Sequence, residues 1–268
     1  MRVTILGSGG SGGVPMIGNH WGACDPANPR NRRRRVSALV EAAGRTILLD
    51  ASPDCRAQLL DAKVRWLDAV LFTHDHADHT HGIDDLRFVR RDPEAPPLPA
   101  YATTQTLETL IVRFNYAFQQ NEQGSGKLYR PFLEARTVEH GRPFEVDDLR
   151  VIPFPQDHGY GSVTTGYRIG GMAYSTDVVD LPEASMAQLE GLDLWIVDCL
   201  RFEPHMTHAH FDKALAWIDR LKPRRAVLTH LNHSVDYDAI AERCPAGVEP
   251  AYDGLVIEVP EEERGHGG

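Results

Sequence analysis

Apolar residues along this chain fall into short runs separated by polar and glycine-containing stretches. Arg2–Leu6, Ser37–Glu41, Thr46–Leu49, Ala69–Phe72, Pro99–Ala102, Arg150–Phe154, Thr165–Ile169, Met172–Tyr174, Leu194–Val197, Arg225–Leu228 and Gly254–Val259 have the length of strands. Between some of them lie stretches with helical spacing, at Pro53–Asp61, Thr104–Phe118, Pro182–Leu189, Phe211–Leu221 and Asp236–Arg243. Strands alternating with helices point to parallel pairing, whereas Val36–Val40 followed closely by Thr46–Leu49 reads as a hairpin. The mixture predicts an α/β sandwich of two mixed sheets flanked by helices, and no period announces a repeat. Asp92–Pro99 and Gln119–Lys127 read as loops bracketing an inserted helix. Residues 1–260 are expected to form one domain and 261–268 a flexible tail, with no role for its His266.

Composition narrows the function classes. The 268 residues carry 28 Lys+Arg against 38 Asp+Glu, a formal charge of −10, with 42% hydrophobic and 25% charged positions. These are values of an ordinary globular chain, which disfavours disorder, collagen-like repeats and coiled coil. No uninterrupted apolar stretch approaches the ~18 residues of a membrane span. The first apolar run is too short for a signal peptide, so a cytoplasmic location is expected. Cys24, Cys55, Cys199 and Cys244 form no CxxC pair and suit a reducing compartment. Overall acidity weighs against broad nucleic-acid affinity while leaving room for a local basic patch. The 13 histidines alter the picture more than any of this.

Residues 69–83, AVLFTHDHADHTHGI, place His74, His76, Asp78, His79 and His81 directly after an apolar run, in the spacing H-x-H-x-D-H. A strand would deliver the first two imidazoles from a tight turn, and a helix starting there would aim Asp78 and His79 at the same point. Imidazole and carboxylate are the ligands that borderline divalent ions accept. Buried without a cation, so many ionisable groups would suffer desolvation and mutual repulsion; the other reading is a solvated, His-rich loop. Three further donors follow apolar runs: His158 in VIPFPQDHGYG, Asp177 in MAYSTDVVD and His230 in RAVLTHLNH. Taken singly, each reads equally as a cap or a hydrogen-bonded loop residue.

In these motifs, and in GSGGSGGVP at 7–15, the chain resembles the metallo-β-lactamase superfamily of dinuclear metallohydrolases. NPRNRR at 28–33 and the pair His230 and His233 in THLNH bring it nearest the cyclic phosphodiesterase branch of the phosphonate-degradation pathway (PhnP-like), and more distantly the tRNA 3′-processing endonucleases. The resemblance spans essentially the whole chain and implies an αββα fold. It implies that His74, His76 and His158 hold one metal, that Asp78, His79 and His230 hold the other, and that Asp177 bridges them. Two divalent ions, Zn²⁺ or Mn²⁺, are the expected cofactors. The expected nucleophile is a metal-bridged hydroxide attacking a small, cyclic phosphate diester. His208 in HMTHAHFDKAL occupies the position of the family's proton donor, and Asp78 is counted among the catalytic groups as well as the ligands. Asp50, closing TILLD, resembles a family carboxylate that orients the loop histidines, with a strand-end cap as the alternative. His205 and His210 are expected at the surface or behind the ligands, as is His81. A homodimer is plausible from the family.

The match breaks at the branch's additional zinc site. Two of its three cysteine positions hold Asn19 and Trp21 here, which leaves Cys24 and His233. His20 or Asp25 offers a route to completing it; the favoured expectation is a lost site, with hydrogen bonds and Trp21 packing holding the loop. The glycines at 7–13 lack a Walker ending and suit a tight turn beside the metals. The five arginines of Arg30–Arg35 read either as a solvated loop paired with acids or as a phosphate or nucleic-acid contact. Competing functions are an RNA-processing phosphodiesterase, if a basic face leads from these arginines to the metals, a thioesterase or lactamase on the same scaffold, and a metal-binding module without turnover. The nearest equivalent of a tRNA-binding arm, 115–130, is short.

Overall fold

The computed structural model describes residues 1–89, 95–119 and 130–260. The tail at 261–268 lies outside the described residues, as do parts of the two expected loops and of the segment 115–130. The first sheet runs β14 (Val256–Glu258), β1 (Arg2–Gly7), β2 (Ser37–Ala42), β3 (Arg45–Leu49), β4 (Ala69–Leu71), β5 (Leu98–Ala102), β6 (Leu133–Thr137). The second runs β13 (Val248–Pro250), β12 (Arg225–Thr229), β11 (Leu194–Asp198), β10 (Met172–Ser175), β9 (Val163–Ile169), β8 (Leu149–Asp157), β7 (Phe144–Val146).

Both sheets follow one plan. Pairing is antiparallel from β14 to β3 and parallel from β3 to β6. It is antiparallel from β7 to β10 and parallel from β10 to β13. Short turns join the antiparallel pairs β2–β3, β7–β8, β8–β9 and β9–β10, whereas β1 reaches β2 through residues 8–36. Ala43 and Gly44, at φ 48° and 75°, form the left-handed two-residue turn that joins β2 to β3 in the expected hairpin. Crossovers make the parallel half. Helices α1 (Cys55–Asp61), α3 (Thr104–Arg113) and α4 (Asn115–Phe118) serve the first sheet; α5 (Glu183–Gln188), α6 (Phe211–Leu221) and α7 (Tyr237–Ala241) serve the second.

Alternation along the strands divides the core into three layers. Ile47 and Leu49 face the second sheet and pack with Val151, Tyr167, Ile196 and Val227, whereas Leu48 faces outward onto Cys55 and Leu59 of α1. Trp195 and Leu228 on the far face of the second sheet meet Phe211, Trp217 and Ile218 of α6. Burial on both faces explains why the central strands read as continuous apolar runs. The edge strands β6, β7 and β13 have short, mixed sequences, LEART, FEV and VEP, and were not legible from apolar runs. The helix expected over Thr104–Phe118 divides at Phe114, whose backbone leaves the helical region at φ −122°, ψ 42°. Among the described residues no helix is long and apolar enough to cross a membrane.

Candidate metal centre

Strand ends from both sheets open onto one place. From the first sheet, β4 leads through Thr73 to His74 and His76, and the four-residue helix α2 (Ala77–Thr80) carries Asp78 and His79 in its only turn. From the second sheet come His158 after β8, Asp177 after β10 and His230 after β12. Asp50, Asp177 and His230 leave their strands in the left-handed region, at φ 61°, 54° and 61°. Non-glycine residues seldom adopt it, and here it turns each side chain toward the others.

Hydrogen bonds on the outer edges of the rings fix their inner edges. His79 Nδ1 lies 2.8 Å from Asp50 Oδ2, and the same carboxylate accepts from the Thr73 backbone N–H at 2.8 Å and from Thr73 Oγ1. His74 Nδ1 pairs with Thr73 Oγ1 at 2.9 Å, and His158 Nδ1 donates to the Thr207 carbonyl at 2.8 Å. Asp50 therefore does what the sequence expected of it, anchoring the loop through both Thr73 and His79. The inward Nε2 atoms of His74, His79 and His230 are buried with no hydrogen-bond partner. Asp177 stands between them. Its Oδ2 lies 3.1 Å from His79 Nε2 and 3.4 Å from His230 Nε2, and its Oδ1 lies 3.8 Å from both His74 Nε2 and His158 Nε2.

Three donor sets within this cluster can each hold a metal ion: His74, His76, His158 with Asp177; Asp78, His79 with His230; and Asp177 with His208 and His230. Orphaned imidazole lone pairs converging on carboxylate oxygens are what a divalent cation satisfies, since burying such groups unpaired is costly. Nitrogen and oxygen donors of this kind suit Zn²⁺ and its first-row neighbours. The electrostatics of the protein alone agree. Burial holds His74 well below the ordinary histidine value, so its ring is neutral. Burial also works against protonation of His79, but Asp177, Asp50 and Asp78 around it lift it well above that value. Asp177 is fully buried, yet His230 and His79 hold its carboxyl well below the usual range.

His208 stands beside the cluster on the segment between β11 and α6, its Nε2 3.9 Å from Asp177 Oδ1. Its Nδ1 lies 2.9 Å from Oδ2 of Asp198, a fully buried carboxylate that also accepts from the Val178 backbone N–H. Burial lowers the His208 pKa, but Asp198 and Asp177 more than compensate, raising it to about 9. Sequence reasoning missed Asp198, because the apolar run was ended at Val197. The signal was available: Asp198 closes LWIVD as Asp50 closes TILLD.

Other expected positions sort around this centre. The His205 ring lies tilted beside His208, centroids 5.3 Å apart, and accepts from the Thr207 N–H, so it lies beside the proton-donor candidate. His210 is the residue before the first turn of α6 and makes no capping bond with its side chain. His81 is exposed and packs its ring edge against Phe114. Gly10 lies so close to His230 that an added Cβ would stand 3.3 Å from the ring. The glycine turn therefore does border the cluster, where a cavity of about 230 Å³ is lined by Gly10–Gly13, His205, His208, His230 and His233.

Among the described residues no donor set of three or more includes Cys24 or His233. Cys24 Sγ instead points at the Val235 carbonyl, 3.2 Å away. Trp21, expected to pack and help hold the loop, is half-buried under the Arg32 guanidinium and donates from Nε1 to Asn19 Oδ1. The loop is held by Arg33, fully buried, which donates to the carbonyls of Asn232 and Val235 at 3.0 and 2.8 Å and to Asn31. The other arginines are also engaged: Arg34 with Asp61, Arg35 with Asp54, and Arg30 over Tyr237 and Tyr252. Arg34 and Arg35 thus pair with acids as the solvated-loop reading expected, whereas Arg33 is buried and fits neither reading.

Comparison with known proteins agrees with the geometry. A family profile described as "Beta-lactamase superfamily domain" matches residues 45–231. The crystal structure of a new diphosphatase from the PhnP family superposes with a TM-score of 0.86 at 35% identity, covering 97% of this chain and 98% of that one. Zn²⁺-bound PqqB from Methylobacterium extorquens shares the fold, with a TM-score of 0.72 at 23% identity over 97% of this chain and 100% of that one. An octanoyltransferase of Porphyromonas gingivalis is 36% identical over 258 residues, 95% of this chain and 51% of that protein. The chain thus spans about half the length of that curated relative.

Proposed function

The chain belongs to the beta-lactamase superfamily, as a metal-dependent hydrolase of the PhnP-like branch, and from that premise we propose that it is a dinuclear phosphodiesterase acting on small phosphate diesters, cyclic ones included. The observation that carries this reading is the division of Asp177 between two imidazole groups, with a carboxylate-backed histidine beside it. His74, His76 and His158 would hold one ion and Asp78, His79 and His230 the second, with Asp177 placed to serve either. Zn²⁺ or Mn²⁺ suits these donors. When bound, such a pair supplies a water of lowered pKa and neutralises charge on the phosphoryl oxygens.

The chain's own residues supply the remainder. Asp50 and Thr73 hold the histidine loop rigid, and the Asp177 backbone, turned through its left-handed conformation, presents both carboxylate oxygens inward. The alkoxide that leaves phosphorus needs a proton. His208 gives it from Nε2, while Asp198 on Nδ1 fixes the ring orientation and keeps it protonated near neutral pH. A thiolate leaves without a proton, so thioester hydrolysis has less need of such a donor and stands behind phosphodiester hydrolysis. The diphosphatase relative adds the phosphoric anhydride as a second bond of the same chemistry.

The test is elemental analysis of the purified protein combined with turnover of bis(p-nitrophenyl) phosphate, nitrocefin and an octanoyl thioester by the same sample. About two ions per chain with preferential phosphodiester cleavage is the expected result. Thioester or lactam cleavage in preference to the phosphodiester, or phosphodiester turnover that survives complete metal removal, overturns the proposal.

A further inference from the structure

Two loops flank the cluster on its second-sheet side, and each carries an exposed apolar side chain two positions from a candidate active residue. Tyr160 follows His158 and is 78% exposed; Met206 precedes His208 and is 66% exposed. The two meet, with Tyr160 Oη donating to Met206 Sδ at 2.8 Å.

The backbone that holds Tyr160 there is unusual. Gly159, Tyr160 and Gly161 are all left-handed, at φ 83°, 52° and 77°. This turn joins β8 to β9 and closes on itself, with His158 N–H donating to Ser162 O and Ser162 N–H to Gly159 O. Gly159 is required by close approach as well as by φ, because a Cβ there would stand 2.4 Å from the Met206 carbonyl. A bulky aromatic residue in this region costs of order 1 kcal/mol or more and persists only where its surroundings enforce it. No core contact repays it, since the ring lies in solvent. A ring locked at the edge of a catalytic cluster, its position set by two glycines and a thioether, is a stacking platform.

We infer that Tyr160, backed by Met206, is a specificity-determining residue that stacks on the nucleobase of a nucleoside phosphate ester. This deepens the phosphodiesterase reading and rests on it. A planar heteroaromatic ring is the ligand that an exposed aromatic face and a polarisable sulfur recognise together. Base stacking on an aromatic side chain is worth about 1–3 kcal/mol, about 5- to 150-fold in affinity. A small nucleotide ester is favoured over an RNA strand because Arg30 and Arg32–Arg35 are taken up by internal partners and offer no track for a longer backbone.

The experiment compares the p-nitrophenyl esters of thymidine 5′-phosphate and 2-deoxyribose 5-phosphate, which share a leaving group and a sugar and differ in the base. The metal-loaded enzyme is expected to favour the thymidine ester through KM. Tyr160→Ala is expected to lower that preference about tenfold, mainly in KM, with Tyr160→Phe and Tyr160→Trp retaining it. Equal loss on both esters, or a preference unaltered by removal of the ring, overturns the inference and leaves the phosphodiesterase reading standing. Failure of Tyr160→Phe or Tyr160→Trp to keep the preference while Tyr160→Ala keeps it overturns it equally. No hydrolysis of either ester by the metal-loaded wild-type protein overturns both.

Discussion

The two sheets contribute to the centre in opposite ways. The first sheet places His74, His76, Asp78 and His79 in one loop after β4, over six consecutive positions. The second places His158, Asp177 and His230 one at a time, after β8, β10 and β12. Each sheet also lends one buried strand-end carboxylate, and their duties differ. Asp50 braces the donor loop through Thr73 and His79, while Asp198 braces the proton-donor candidate His208. The same topological position, the end of a parallel strand, thus supports metal binding on one side and proton transfer on the other.

Breaking the element common to both sides has the largest effect. Asp177→Ala is expected to reduce phosphodiester turnover about 10⁴-fold and to lower metal content, read by kinetics and elemental analysis together. Retention of full metal content would confine Asp177 to a hydrogen-bonding role. His208→Ala acts on the second sheet alone. It is expected to keep the metals and lose about 10²–10⁴-fold on alkyl esters, with a smaller loss on p-nitrophenyl esters, whose leaving group needs no proton. An equal loss on both esters would argue against a proton donor.

The smallest expected effects sharpen the comparison most. Asp50→Asn is expected to weaken metal affinity about 10- to 100-fold, measured by competition with a chelator. Asp198→Asn is expected to leave metal content in place and to move the alkaline limb of the rate profile to lower pH. The sign follows from the carboxylate. Asp198 raises the His208 pKa to about 9, so the proton is present below that value and lost as pH rises through it; without the carboxylate, loss begins sooner. Interchanged effects of the two variants would show that the division of labour between the sheets is wrong.

Legibility from sequence followed the same division. The loop after β4 announced itself, because four donors at fixed spacing behind an apolar run would repel one another and lose hydration unless they shared a cation. His158, Asp177 and His230 were ambiguous singly and gained meaning jointly, each following an apolar run in the same chain as the His74–His79 motif, before the resemblance assigned them to metals. Asp198 went unread although its strand was found. Arg33 shows the converse: in RNRRRR it looks like its neighbours, and nothing local marks it as the one that is buried.

By itself the sequence determined the central strands, the crossover helix α6 and the chemical identity of the donors, since period, run length and side-chain type are local properties. It also determined that the additional zinc site lacks two of its three cysteines. The tertiary structure alone decided which donors share a space, that Asp177 divides its oxygens, that Asp198 reaches His208 and that Tyr160 stands exposed in a left-handed turn. These depend on strands far apart in the chain ending at the same point, and that convergence is set by sheet order and register rather than by any residue's neighbours in sequence.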